Sequence, residues 1–411
     1  MFRRGGIALW VLVVQLAPGP SLAADQCSLE LLQANAARAA EVCTLVLNAD
    51  ETTTASRVAA LKIRGRAMQR LDRYPDAIAD YETGLRIAPD DAELHLRRGW
   101  TAYEELRRGG GSYFDPGLQP ALDLALKQAA QALRLKPDYP DAYRLIGVAF
   151  AMAGPDKFAE AKAAHDEAIR LDPNNPEMWF SRLIMLEENR RFHEAIQDAD
   201  VILRLPADLI TKPRAAESYL KSTTHRIATA IKRAEMLRKL GRTNEAWQAY
   251  NMAAELDPDP ITYSRRAEFR LSQIGFFPGM PPPPLDAVQA DLDKALALDP
   301  DYWVSHEQRG YLLVIREQHD AAATEFALAL KQYPENGGLR WSYALALRKL
   351  GRSEEAAGQG ITAFRMDRGF MFQKLGMLRR LGYLAAIAPD ADPRPAIMDA
   401  ARACMLDERC G

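Results

Sequence analysis

One phrase returns along this chain in altered wording. "EAWQAYNMAAELDPDP" (residues 245–260) reappears as "DAIADYETGLRIAPDD" (76–91) and as "AAATEFALALKQYPEN" (321–336). Aligned on the proline, Ala246, Tyr250 and Ala253 precede Pro258, Ala77, Tyr81 and Gly84 precede Pro89, and Ala322, Phe326 and Ala329 precede Pro334. Ala161, His165, Ala168 and Pro173 fit the same frame, as do Ala125, Ala129, Ala132 and Pro137. Val288, Leu292, Ala295 and Pro300 follow it loosely; Ala195, Ala199 and Ile202 follow it with Pro206 one place early. Steps of four and three put such residues on one helical face. Small side chains admit a neighbouring helix, and the ring fills the gap. Proline stops the helix and opens the next. A second helix, often with a glycine (Gly65, Gly99, Gly147, Gly310), lies upstream of each.

The unit is therefore a helical hairpin of about 34 residues, and it resembles the tetratricopeptide repeat. Units read at 58–91, 92–139, 140–175, 176–206, 227–260, 260–300, 303–336 and 337–367. One hairpin cannot bury its own apolar face, so neighbours must stack. The resemblance implies an all-α fold, a right-handed solenoid of seven to eight such units with helical caps. The expected organisation is an N-terminal cap at 25–57, four units over 58–206, a connector or extended helix at 207–226, four more units over 227–367, and a C-terminal cap at 368–411. Insertions fall at 107–120 ("RRGGGSYFDPGLQP") and 275–284 ("GFFPGMPPPP"). Tyr113, Phe114, Phe276 and Phe277 are placed there to reach a ligand, since loops on a rigid array gather binding residues.

The seventh residue of a unit is arginine at Arg64, Arg98, Arg182, Arg233, Arg266 and Arg309. Asp80, Asp198, Asp291 and Glu325 on the second helices match Arg64, Arg182, Arg266 and Arg309, which predicts ion pairs within each hairpin. Arg98 and Arg233 lack a matching acid and are left to contact something else. By the resemblance, the second, fifth, ninth and twelfth residues of each unit line a concave groove. Those positions, with Arg70 beside them, carry Lys62, Arg66 and Gln69 at one end, then Trp100, Tyr103, Phe180, Tyr311 and Trp341. The family's carboxylate clamp is matched by Lys62, whereas Arg66 stands where asparagine is wanted. An aromatic groove with a basic end suits a protein or peptide partner with apolar anchors and acidic residues.

Lys plus Arg is 53 against 55 Asp plus Glu, so nothing in the charge balance points to nucleic acid. The first 24 residues read as a secretory signal peptide: Arg3 and Arg4, the apolar run "IALWVLVVQLA", then "PGPSLAA" with cleavage after Ala23 or Ala24. The expected location is periplasmic or secreted, with no membrane span once the signal is removed. In that oxidising setting four cysteines can bridge. Stacking separates the ends of the chain, so Cys27 is expected to pair with Cys43 and Cys404 with Cys410. The six histidines are scattered, "HEQRG" lacks the second histidine of a zinc-protease helix, and no phosphate-loop or nucleophile-elbow pattern occurs. The expectation is an exported, non-catalytic scaffold without cofactor or metal. "LRRLGY" (378–383) followed by a helix resembles small peptidoglycan-binding modules. That implies an alternative, an envelope carbohydrate binder using the last 40 residues.

Overall fold

A computed structural model of the chain describes residues 27–108, 116–206, 225–256, 259–273, 284–385 and 393–407. Among these there are twenty α-helices, two short 3₁₀ turns and no strand. Contacts divide the chain into an N-terminal unit, Met1–His225, and a C-terminal unit, Arg226–Gly411. The N-terminal unit holds α1 (Leu29–Ala34), α2 (Ala36–Asn48), α3 (Thr54–Arg70), α4 (Tyr74–Ile87), α5 (Ala92–Arg108), α6 (Gln119–Leu135), α7 (Pro140–Ala153), α8 (Phe158–Leu171), α9 (Pro176–Glu188) and α10 (Phe192–Arg204). From the junction onward come α11 (His225–Lys239), α12 (Thr243–Leu256), α13 (Pro260–Ser272), α14 (Leu285–Leu298), α15 (Trp303–Ile315), α16 (His319–Gln332), α17 (Gly337–Lys349), α18 (Ser353–Met366), α19 (Arg368–Arg380) and α20 (Pro393–Leu406). Within each unit successive helices pack as hairpins, as α3 with α4, α7 with α8 and α15 with α16, and neighbouring hairpins pack together, as α6 on α7 and α16 on α17. Tyr113, Phe114, Phe276 and Phe277, proposed above as loop contacts, lie outside the described residues.

Side-chain caps start many of these helices. Asn175, Asp259, Asn336 and Asp367 accept from the backbone N–H of Glu177, Ile261, Leu339 and Phe370. Pro140, Pro176 and Pro260 occupy the first helical position, where a missing N–H costs nothing. Inside the hairpins one turn recurs. Asp72, Arg190, Gly241, Glu317 and Gly351 have positive φ, between 58° and 75°. The next residue's N–H returns to the carbonyl five positions back, as from Arg73 to Met68 and from Arg352 to Leu347. This is the Schellman closure, which satisfies carbonyls the helix end would orphan.

The same closure ends α19, where Gly382 has φ 80° and Tyr383 N–H returns to Leu378. "LRRLGY" is thus the array's own turn, the counterpart of "LRKLGR" at 237–242 and 347–352. The resemblance to a peptidoglycan-binding module has this simpler cause, and no feature among the described residues supports the carbohydrate-binding alternative. Beyond that turn, α20 packs chiefly on α18: Met405 sits where a Cβ on Gly360 would come within 2.8 Å, and the Arg348 guanidinium donates to the Asp407 carbonyl at 2.6 Å.

At the other end α2 packs on α3, and the Cys27–Cys43 disulfide (Cα–Cα 5.0 Å) ties the chain before α1 to α2. Cys404 is buried and disulfide-bonded; Cys410 lies outside the described residues.

The hairpins close at one repeated contact. Tyr81, His165 and Phe326 are fully buried and face glycines on the partner helix. A Cβ on Gly65 would lie 2.5 Å from the Tyr81 ring, and one on Gly147 would lie 2.7 Å from the His165 ring; Gly310 meets Phe326 in the same way. Other hairpins redistribute the volume at this register: Leu183 matches Ala199, and Ala344 matches Gly360, all buried.

Two substitutions test this account with opposite signs. Gly65→Ala should lower stability by about 1–3 kcal/mol through overpacking, although alanine is the better helix former. Glu317→Gly should raise it by up to about 1 kcal/mol, because a left-handed residue then carries no Cβ. Urea unfolding monitored by circular dichroism reads both.

Candidate functional site

The first helices carry the functional expectations, so the site is built from their side chains. Arg64 grips both oxygens of Asp80 at 2.9 and 2.5 Å and reaches back to Thr44 Oγ1 at 3.1 Å. Arg182 grips Asp198 at 2.9 and 2.6 Å and Asp166 at 2.5 Å. Arg266 grips Asp291 at 2.9 and 2.5 Å and Asn251 at 3.1 Å. Each arginine therefore spans its own second helix and the one before it. The geometry is the planar fork against a carboxylate, which fixes orientation as well as distance.

One expectation about these arginines is extended and another needs correction. Arg309 pairs with Glu325 at 3.8 Å as expected, and more closely with Asp293 of the preceding hairpin at 2.5 Å. Arg98 was left without an acid, yet it donates to Glu82 on α4 at 3.1 and 3.0 Å. Arg233 is engaged as well. The backward partner sixteen residues earlier was overlooked for Arg98, Arg182 and Arg309. These arginines are joints of the stack and offer no ladder for an anionic polymer.

A second recurring device was also missed. The fourth residue of a unit donates to the carbonyl of the proline that ends the preceding helix. His95 reaches Pro89 O at 2.8 Å, Trp179 reaches Pro173 O at 2.8 Å, His306 reaches Pro300 O at 2.8 Å and Arg340 reaches Pro334 O at 2.7 Å. The signal was present in the sequence, an N–H donor six residues after each of these prolines.

The expected groove aromatics are mostly interior. Trp100, Phe180 and Trp341 are 9%, 5% and 3% exposed. Trp100 lies under the Arg144 guanidinium at 4.3 Å and edge-on to Tyr103. Trp341 stacks on Phe364 with centroids 5.2 Å apart. Tyr311 is half-buried, edge-on to Phe326, with its hydroxyl 3.0 Å from Ser342 Oγ. These rings pack between helices and do not form an open apolar lining.

The expected basic end separates into spent and unspent charge. Lys62 lies 2.7 Å from Asp91 and 3.1 Å from Glu93. Arg70 donates to the Leu32 carbonyl. Gln69 is buried, donating to Glu104 at 3.0 Å and accepting from the Tyr81 hydroxyl at 2.7 Å. Arg66 is half-buried and has no hydrogen-bonding or ion-pair partner among the described residues. Burial first, and then the neighbouring Arg97 charge, push its guanidinium below the usual arginine range. Arg97 was not singled out from the sequence. Its Nε is buried without a partner, and its nearest acid, Glu93, stands at 3.7 Å.

In the C-terminal unit the corresponding face is acidic. Glu307 on α15 is pushed up to about 7 by burial and by the Glu268 charge. Glu268 is itself held by Arg265 at 2.7 Å. Among the described residues no group of three or more His, Cys, Asp or Glu is arranged to hold a metal. No described helix is long and apolar enough to cross a membrane.

Stacked hairpins of this length define a helical-repeat protein. Residues 156–209 and 307–361 match the tetratricopeptide repeat family model, so the chain contains tetratricopeptide repeats. No curated protein matches the chain. Similar solved structures include a tetratricopeptide repeat protein from Parabacteroides merdae, 13% identical with TM-score 0.45 over 72% of this chain and 98% of that one. Pseudomonas aeruginosa pilF is 16% identical with TM-score 0.41, over 59% and 92%. YrrB, described as a tetratricopeptide repeat protein with an unusual peptide-binding site, is 15% identical with TM-score 0.34, over 55% and 95%. Identities and TM-scores this low carry no functional inference.

The His306 geometry yields a pH prediction. Nε2 faces the Pro300 carbonyl, and Nδ1 faces Glu325 at 2.6 Å; both are acceptors, so the doubly protonated ring fits best. The Glu325 hydrogen bond raises His306 above its ordinary 6.5. A raised folded value contributes stability that is complete below the unfolded value and is lost as pH rises through the folded one. Urea midpoints of the C-terminal unit should therefore fall between pH 6 and pH 8.5, and Glu325→Gln should flatten that fall.

Proposed function

We propose that the protein is an exported, non-catalytic scaffold that binds an acidic segment of a protein partner on the first-helix face of its N-terminal unit. The observation that carries this reading is the pair of half-buried guanidiniums, Arg66 on α3 and Arg97 on α5, of which Arg66 lacks any acceptor among the described residues. An unpaired charge held part-way out of water is costly, and an incoming carboxylate relieves both the desolvation and the mutual repulsion. The partner chemistry is accordingly an aspartate or glutamate side chain, or a free C-terminal carboxylate, on an extended or helical peptide. The helices that carry the two arginines are packed before the partner arrives, so binding loses little ordering entropy. Export rests on the charged, apolar and small-residue order of the first 24 residues, and places the mature protein in the periplasm or outside the cell.

A fluorescein-labelled glutamate-rich peptide, followed by anisotropy, tests the binding reading. Binding should weaken steeply with salt, and Arg66→Ala and Arg97→Ala should each weaken it roughly tenfold or more. Thermal melts should stay unchanged for Arg66→Ala. Equal binding by wild type and both variants would sink the reading. N-terminal sequencing of the expressed protein tests export: a start at Ala24 or Asp25 supports it, and an intact Met1 on a cytosolic product contradicts it.

A further inference from the structure

His165 occupies the position that Tyr81, Tyr250 and Phe326 fill in other hairpins. It is completely buried on α8, with its ring against Gly147 of α7. Neither ring nitrogen has a hydrogen-bond partner among the described residues. A tyrosine or phenylalanine there never ionises in the biological range. An imidazole does, and a ring with both nitrogens unsatisfied has no acceptor waiting for the second proton. Its charged surroundings oppose that proton further. From α7 it faces Arg144, which is anchored to Asp141 at 3.1 Å and stacked on Trp100. From α9 it faces Arg182, anchored to Asp198 and Asp166. On its own helix Asp166 is the one opposing charge, and that carboxylate is already taken by Arg182 and Lys162. The 3₁₀ turn Pro155–Lys157 adds Lys157, which pairs with Glu160 at 2.9 Å in the exposed layer.

We propose that the third hairpin, α7 with α8, is an acid-operated joint in the N-terminal unit: protonation of His165 expels its ring from the Gly147 pocket and opens the seam between the two helices. The close approach at Gly147 leaves no room for water to solvate the cation in place, so the ring must move for the charge to be hydrated. Opening would also release Arg144 from Trp100 and from Glu177, 3.9 Å away, and so disturb the first-helix face between α5 and α9. The sign follows from burial, then Arg144 and Arg182, which lower the ring to about 3. A depressed folded value contributes stability that is present above the unfolded value and is lost as pH falls below it. The working window is thus from 6.5 downward.

Hydrogen exchange read by mass spectrometry, corrected for intrinsic exchange rates, decides the matter on the full chain. Between pH 8 and pH 5 the opening constant of α7 and α8 should rise about 30-fold, the protonation factor of an exposed imidazole over that interval, while α3 and α4 stay protected. His165→Phe should keep α7 and α8 protected at pH 5. If that variant does not fold, His165→Leu replaces it, since Leu292 fills this position in another hairpin. Imidazole resonances of the wild type give the independent reading: the His165 ring should stay neutral in the closed hairpin down to pH 5 and take up its proton only where α7 and α8 open. The proposal is overturned if wild type stays protected at pH 5, if the folded variant loses the same protection, or if the ring titrates near 6.5 with α7 and α8 still closed.

Discussion

Everything in this molecule depends on how closely two helices of a hairpin can approach. At one register position a ring from the second helix enters the space a glycine leaves on the first, as Tyr81 does at Gly65 and Phe326 at Gly310. Interiors pack to crystal density, so this contact sets the separation of the helices and everything downstream of it. Where the ring is absent the volume moves to the other helix, as in Leu183 with Ala199. The separation in turn determines whether the seventh-position arginines reach carboxylates on both flanking second helices, which Arg182 does with Asp166 and Asp198.

That neutralisation gives Arg66 and Arg97 their meaning. Arginine is common on the first helices, so its mere presence says little. Arg64, Arg98, Arg182, Arg266 and Arg309 are each engaged by carboxylates of the stack itself. A half-buried guanidinium with no acceptor stands out against this background because charges drawn out of water are normally paired. The acidic Glu268 and Glu307 of the C-terminal unit show that the same helical face can carry either sign. The repeat supplies geometry, and individual residues supply chemistry.

How much could be read from the sequence follows the range of the interactions. The hairpin period, the stop prolines and the pairs Arg64–Asp80, Arg182–Asp198 and Arg266–Asp291 were legible, because each follows from spacing within one unit. Arg98–Glu82 and Arg309–Asp293 were not, because the partner belongs to the previous unit and spacing within one hairpin does not reach it. Trp100, Phe180 and Trp341 were read as groove lining because position within one hairpin says nothing of how far the next hairpin overlaps it. Arg97 was hidden beside Arg98 in "LRRGW", where only the packed structure shows that Arg98 reaches an acid on the preceding helix while Arg97 stands 3.7 Å from Glu93 of its own helix. "LRRLGY" misled for a related reason: a helix-ending turn has so few chemical solutions that unrelated folds arrive at similar wording.

The histidines show how far environment outweighs residue type. His95 and His306 hold the same place in their units and reach the same proline carbonyl. His95 meets the Gln128 side-chain amide at 2.7 Å. His306 meets Glu325, which when ionised can only accept, so the ring is drawn towards the cation. His165 has no hydrogen-bond partner among the described residues; burial first, and then two facing guanidiniums, hold it neutral. One side chain thus stabilises the C-terminal unit as pH falls and destabilises the N-terminal unit over the same change. An array assembled from near-identical hairpins acquires regions of opposite pH response through single substitutions at positions the repeat leaves chemically free.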